Sequence, residues 1–196
     1  MSVDIILLKK ELRKRLINER SHIDETARKL KDLSILDRLL SLAEYRESEL
    51  ILTYASYNGE VDTCKLIDKA LSDGKQVACP RCRIRDDVPL LDFYRITAPE
   101  DLIPGYKGIP EPRERQGSKL ACEDICGSLV IVPLVGYDRA KNRLGYGKGF
   151  YDRFLASCKD IKKIGLAYLC QEEDKLPVDE YDIRLDMIIN EMELKL

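Results

Sequence analysis

Three glycines alternate at positions 145, 147 and 149 inside NRLGYGKGFYDRFL, residues 142–155, where Arg143 and Lys148 supply positive charge and Asp152 a carboxylate. Glycine loses more backbone freedom on folding than any other residue, so this density marks a chain that turns through positive φ or lets another molecule come close. The run follows an apolar stretch, SLVIVPLV at 128–135, and enters a helix-compatible stretch, residues 150–157. Strand, glycine loop and helix start is the order that aims backbone N–H groups at a phosphate. Two common phosphate fingerprints fail. Lys148 is followed by Gly149 where a Walker A loop needs Ser or Thr, and Phe150 stands where a dinucleotide loop needs its third glycine. With Arg143, Lys148 and Asp152 present, a polyphosphate site is favoured over a ligand-free strand-to-helix turn. In it the N–H groups and Lys148 take the anion, and Asp152 could hold the Mg²⁺ that travels with ATP.

Other chemistries find little support. His22 is the only histidine and falls near an expected helix start, which argues against Ser-His or Cys-His nucleophilic catalysis and histidine metal sites. Seven cysteines are scattered through the chain. Cys79 and Cys82 have zinc-ribbon spacing, but Cys122 and Cys126 make a loose second pair, and buried free thiols are the preferred reading. Lys+Arg (33) and Asp+Glu (35) nearly cancel, which argues against a nucleic-acid protein with a broad basic surface. No apolar run approaches the ~18 residues of a membrane span, so a cytoplasmic protein that makes no membrane contact is expected.

The elements that must position the loop follow from periodicity. Residues 4–20 form a helix with Asp4 as N-cap and Ile5, Leu8, Leu12 and Leu16 as one buried stripe. Lys9 and Arg13 share a neighbouring face, which periodicity alone reads as solvated. Ser21 with Asp24 resembles a capping box for a second helix reaching about residue 44. Strands are expected at 50–55, 75–79 (breaking at Pro80), 90–96, 128–132, 164–169 and 187–189. Asn58-Gly59 makes a turn, Thr63 caps a helix that stops near Gly74, and 98–127 forms a long ordered loop. The alternation implies one α/β domain over residues 1–196, with two N-terminal helices (4–44) and a core (50–196) built on a mainly parallel sheet. Glu60 and Asp62 fall just beyond a strand's C-terminal end, the edge where such sheets bind ligands.

The residues also resemble a family. NRLGYGKGFYDRFL is similar to the signature of the 5-formyltetrahydrofolate cyclo-ligases, also called 5,10-methenyltetrahydrofolate synthetases. Lys9-x-x-Leu12-Arg13, Asn58-Gly59-Glu60-Val61-Asp62-Thr63, Gly108-Ile109-Pro110-Glu111-Pro112, Pro133, Asp138, Gln171, Pro177, Asp182 and Asp186 extend the likeness along the chain. The resemblance implies ATP- and Mg²⁺-dependent closure of 5-formyltetrahydrofolate to 5,10-methenyltetrahydrofolate with release of ADP and phosphate. It also implies a three-layer α/β/α sandwich similar to glucosamine-phosphate deaminase and ribose-phosphate isomerase folds. Carried over by position, Lys9, Arg13, Arg143, Leu144, Gly145, Tyr146, Gly147, Lys148, Gly149, Phe150, Tyr151 and Asp152 become nucleotide contacts. Lys148 and Arg143 are the catalytic pair, Asp152 and Asp186 the Mg²⁺ carboxylates, and Glu60 with residues 146–150 the folate contacts. Leu134, Tyr181 and Asn190 depart from the usual glycine, histidine and threonine. A monomer is favoured. Two alternatives stand beside this reading: a paralogue that binds nucleotide or RNA without turnover, and a sugar-phosphate isomerase or CoA-transferase-like enzyme.

Overall fold

The computed structural model describes residues 3–192 and 194–195. Helix α1 is Val3–Ser21, so Asp4 lies in its first turn and is not its N-cap. Its inward face differs from the expected stripe. Leu16 is buried but Leu8 is 59% exposed, and the other residues buried on this helix are Lys9 and Arg20. Spacings of seven and four put Lys9, Leu16 and Arg20 on one face, and polar partners elsewhere in the chain draw the two cations inward. Helix α2, Glu25–Ser41, is capped by Asp24, whose carboxylate accepts from the N–H groups of Thr26 and Ala27. Ser21 ends α1 and donates to the Asn18 carbonyl, so the capping box does not form.

After the short α3 (Ala43–Glu47) come β1 (Leu50–Leu52) and α4 (Cys64–Ser72). Thr63 precedes α4, but its hydroxyl donates to the Tyr54 carbonyl, and Asp62 accepts from the Cys64 N–H in its place. Strand β2, Gln76–Arg85, runs through Pro80 and pairs antiparallel with β3, Val88–Ile96. The expected break at Pro80 is absent for two reasons. Strand β1 ends opposite Ala78, and the carbonyl of Phe93, opposite Pro80, turns away to accept from Leu120. No ladder partner asks residue 80 for an N–H. The expected loop at 98–127 contains an antiparallel ribbon, β4 (Leu102–Pro104) with β5 (Pro110–Pro112), and the short α5 (Cys122–Ile125).

Strand β6 (Leu129–Val132) leads into β7 (Gly136–Asp138), β8 (Arg143–Leu144) and α6 (Phe150–Ser157). Strands β9 (Lys162–Leu166), β10 (Glu172–Glu173), β11 (Met187–Ile189) and β12 (Leu194–Lys195) complete the chain. The main sheet has the order β12-β11-β9-β6-β1-β2-β3, parallel except for its two edge strands. Alternate strand residues face opposite ways. Ile51, Val77 and Ile131 pack under α2 and α4, whereas Leu52, Val130 and Phe93 pack under α6, where Phe93 meets Phe154 at 4.7 Å between centroids. Cys79 and Cys82 belong to opposite faces for the same reason, and all seven cysteines are free.

The sheet reverses its winding between β1 and β6. The connection through α4 carries the chain from β1 to β2 on one side, and the connection through α6 carries it from β6 to β9 on the other. Such a switch point leaves a crevice beyond the strand ends. A second small sheet, β10-β7-β8, stands over this crevice and supports the glycine loop, and α1 packs on it through Leu16, Val135, Leu144 and Leu176.

Candidate active site

A cavity of about 350 Å³ lies in the crevice, within the size range of small-molecule sites. Tyr54 and Ala55 enter it from the end of β1, Pro133 from the end of β6, and Gly145 to Asp152 from the glycine loop and the first turn of α6. Two surfaces of different character meet there.

One surface is aromatic. Tyr54, Tyr57, Tyr106, Tyr146, Phe150 and Tyr151 line it. Tyr106 and Phe150 meet edge to face at 5.9 Å, and the Tyr57 hydroxyl donates to the Lys107 carbonyl at 3.3 Å. Glu60 sits among these rings and accepts from the Tyr57 N–H at 2.9 Å. Burial raises its carboxyl from the ordinary 4.5 to about 7, against the Tyr57 N–H, the charge of Arg20 and the Tyr146 hydroxyl, which favour the anion. Such a wall suits a flat heterocycle with hydrogen-bonding edges.

The other surface is cationic. Arg143, only 6% exposed, donates to the Asp152 carboxylate at 2.6 Å and to the Pro133 carbonyl at 3.3 Å, with its guanidinium over the Tyr151 ring. Arg13 reaches in from α1 and donates through Nε to the Gly145 carbonyl at 2.7 Å. Burial lowers the Arg13 pKa, the charge of Arg143 adds to the effect, and Asp182 and Asp152 oppose it. Lys148 is exposed at the rim. Gly147 has φ +87°, and a Cβ there would come within 2.9 Å of the Arg13 guanidinium carbon. Gly149 has φ +72° and open space around its Cα. The loop's glycines therefore let backbone, Arg13 and Arg143 crowd one concave surface. The Arg143 Nε and the Tyr151 hydroxyl are buried without a protein partner among the described residues. Convergent cations and an orphan donor fit an anionic ligand.

The expected site residues are not all brought together. Glu60, Arg143 and Gly145 to Asp152 line one cavity, and Arg13 touches its loop. Leu144 is buried behind the loop against α1. Lys9 is held by Asp179 at 2.7 Å and by Asp182. Asp186 accepts from the Lys163 N–H at 2.7 Å and pairs with its ammonium at the start of β9 and β11, whereas the cavity lies beyond the ends of β1 and β6. Among the described residues no three His, Cys, Asp or Glu side chains gather as a metal cage. Periodicity had no means of finding Tyr54, Tyr57, Cys82, Tyr106 or Lys107. Arg20 carried a faint signal, because it lies seven residues beyond Arg13 on the same helix.

These features define an α/β protein with a switch-point cavity that sets an anion cradle against an aromatic chamber. The sequence matches the 5-formyltetrahydrofolate cyclo-ligase family over residues 6–191. The chain belongs to that family. It is 33% identical over 154 residues to the 5-formyltetrahydrofolate cyclo-ligase of Haemophilus influenzae, covering 78% of this chain and 81% of that one. It is 27% identical to the Mus musculus cyclo-ligase over 97% of each chain. The solution structure of Aquifex aeolicus 5,10-methenyltetrahydrofolate synthetase is similar at TM-score 0.81 and 34% identity, covering 96% of this chain and 92% of that one.

Proposed function

We propose that this chain closes 5-formyltetrahydrofolate to 5,10-methenyltetrahydrofolate at the expense of ATP, releasing ADP and phosphate. The observation that carries the reading is the meeting, in one cavity, of a cationic glycine loop with an aromatic chamber that holds Glu60. Family membership supports the substrate class.

The chemistry explains the need for a nucleotide. A formamide oxygen is a poor leaving group, so ring closure through N10 requires its activation. The formyl oxygen attacks the γ-phosphorus and the bond to ADP breaks. N10 then bonds to the formyl carbon and gives up its proton, and phosphate departs with the former formyl oxygen. Such a reaction asks the protein mainly for alignment and charge neutralisation. Lys148 and Arg143 are assigned to the transferred phosphate. Arg13, Arg143 and residues 145–152 are assigned to the nucleotide, with Leu144 and Lys9 supporting them from behind. Glu60 and residues 146–150 are assigned to the folate. Asp152 has a carboxylate at the cavity and fits a Mg²⁺ that arrives with the nucleotide, since such ions take one or two carboxylates and phosphate oxygens. Asp186, held by Lys163 at the opposite end of the strands, is left out of this metal reading. When bound, the ion would supply charge neutralisation at the phosphates. The finer likeness to deaminase and isomerase sandwiches, action as one monomeric domain over residues 1–196, and a cytoplasmic setting belong to the same proposal.

Lys148→Ala tests the central assignment. Turnover, followed as methenyltetrahydrofolate absorbance, falls at least ~100-fold, on the scale of losing one transition-state charge contact. Near-normal turnover would remove Lys148 from its role.

A further inference from the structure

Arg20 is 1% exposed, the largest of the fully buried side chains, and makes no ion pair with a carboxylate among the described residues. Taking a cation out of water without a counter-ion is costly, so its hydrogen bonds must be extensive. They reach three separate segments. Its guanidinium donates to the Asn58 carbonyl at 2.8 Å in the turn that carries Glu60, to the Leu134 carbonyl at 3.3 Å after β6, and to the Tyr146 hydroxyl at 2.8 Å in the glycine loop. The Tyr146 oxygen accepts from Arg20, and its hydroxyl favours the anion of the neighbouring Glu60 carboxyl.

We propose that Arg20 is a positioning residue for the folate side of the site: one buried guanidinium locks the Asn58 turn, the end of β6 and Tyr146 together, and so holds the turn that carries Glu60 against the glycine loop. This rests on the folate assignment of Glu60 made above. Glu60 accepts from the Tyr57 N–H in its own turn and Tyr168 bonds its backbone carbonyl at 3.4 Å, while the nearby Tyr54 hydroxyl donates to the Val61 carbonyl and the Tyr151 hydroxyl has no protein partner among the described residues. Arg20 thus supplies the positive charge that opposes protonation of this carboxylate. The guanidinium reaches these acceptors through two separate nitrogens, whereas an ammonium offers all its donors from one.

Three variants separate geometry from charge and from folding. In Arg20→Met the KM for 5-formyltetrahydrofolate rises about tenfold, from the loss of a charge-assisted contact network, while the KM for MgATP stays within about twofold. The pH midpoint of folate KM moves upward, because the charge that favours the Glu60 anion is gone. Arg20→Lys keeps the charge, so the midpoint stays and the folate KM still rises. Tyr146→Phe leaves Arg20 two of its three partners and raises folate KM without the fall in melting temperature that loss of a buried cation brings. Parent-like folate KM in both Arg20→Lys and Tyr146→Phe overturns the proposal. Equal loss of ATP and folate affinity in Arg20→Met also overturns it, because that marks a merely structural role. Equilibrium dialysis with 5-formyltetrahydrofolate reads the same contrasts without turnover, so a failed cyclisation assay and a failed positioning role are told apart.

Discussion

Replacing Gly147 by alanine perturbs the cradle at one defined point. The residue has φ +87°, where an L side chain costs ~1–2 kcal/mol. The new Cβ would sit 2.9 Å from the Arg13 guanidinium carbon, so Arg13 must move and its 2.7 Å bond to the Gly145 carbonyl is lost or weakened. A hydrogen bond from a charged donor contributes ~1.5–3 kcal/mol, which brings the total to ~2.5–5 kcal/mol. At ~2–4 °C per kcal/mol for a chain of this size, the melting temperature falls by ~5–20 °C. Gly149→Ala provides the control, since it shares the positive φ, +72°, but meets nothing within 4 Å. Only the backbone term of ~1–2 kcal/mol applies to it. Displacing Arg13 also removes a phosphate contact, so the KM for MgATP in Gly147→Ala rises about tenfold, equivalent to ~1.4 kcal/mol. Scanning fluorimetry and initial-rate kinetics read both effects. Equal melting temperatures and equal ATP KM in the two variants would refute the account of how the glycines admit Arg13.

Further outcomes follow from the same geometry. Glu60 binds its proton more tightly when folded, near 7 against 4.5 unfolded, so folded stability is lost as pH rises through that window. Glu60→Gln removes this dependence, and its melting temperature relative to the parent increases between pH 5 and pH 8 while folate affinity falls. Arg143→Met strips Asp152 of its 2.6 Å partner and lowers stability by ~3 kcal/mol, the low end for breaking a buried pair because Asp152 is partly exposed. Arg143→Met also abolishes turnover. Chelation of Mg²⁺ with EDTA stops turnover but leaves the melting temperature of the nucleotide-free protein unchanged, because no metal cage is present among the described residues. A fall in melting temperature on chelation would point to a structural metal.

The loop and its helix were legible because local chemistry dictates them: apolar strand, alternating glycines, then Phe150–Ser157, whose bounds match the expectation. The parallel core was legible for the same reason, from short β-branched runs separated by helical ones. The parts that were not legible depend on partners distant in sequence. Pro80 looks like a strand terminator until the neighbouring strand is known to end first. Lys9 looks solvated on a helical wheel, and Leu8 buried, until Asp179 and Asp182 supply polar partners for the cation. The ribbon of β4 and β5 carries prolines in both strands, and periodicity alone cannot assign such a pairing. Asp186 matched the family pattern by position, yet its carboxylate meets Lys163 at the far end of the strands.

In the proposed reaction the formyl oxygen is the group phosphorylated. Incubating the protein with MgATP and 5-formyltetrahydrofolate carrying heavy oxygen in the formyl group tests it directly. Methenyltetrahydrofolate and ADP form in equal amounts, with the heavy oxygen recovered in inorganic phosphate. Cyclised product formed with unlabelled phosphate, or formed without ATP, would contradict it.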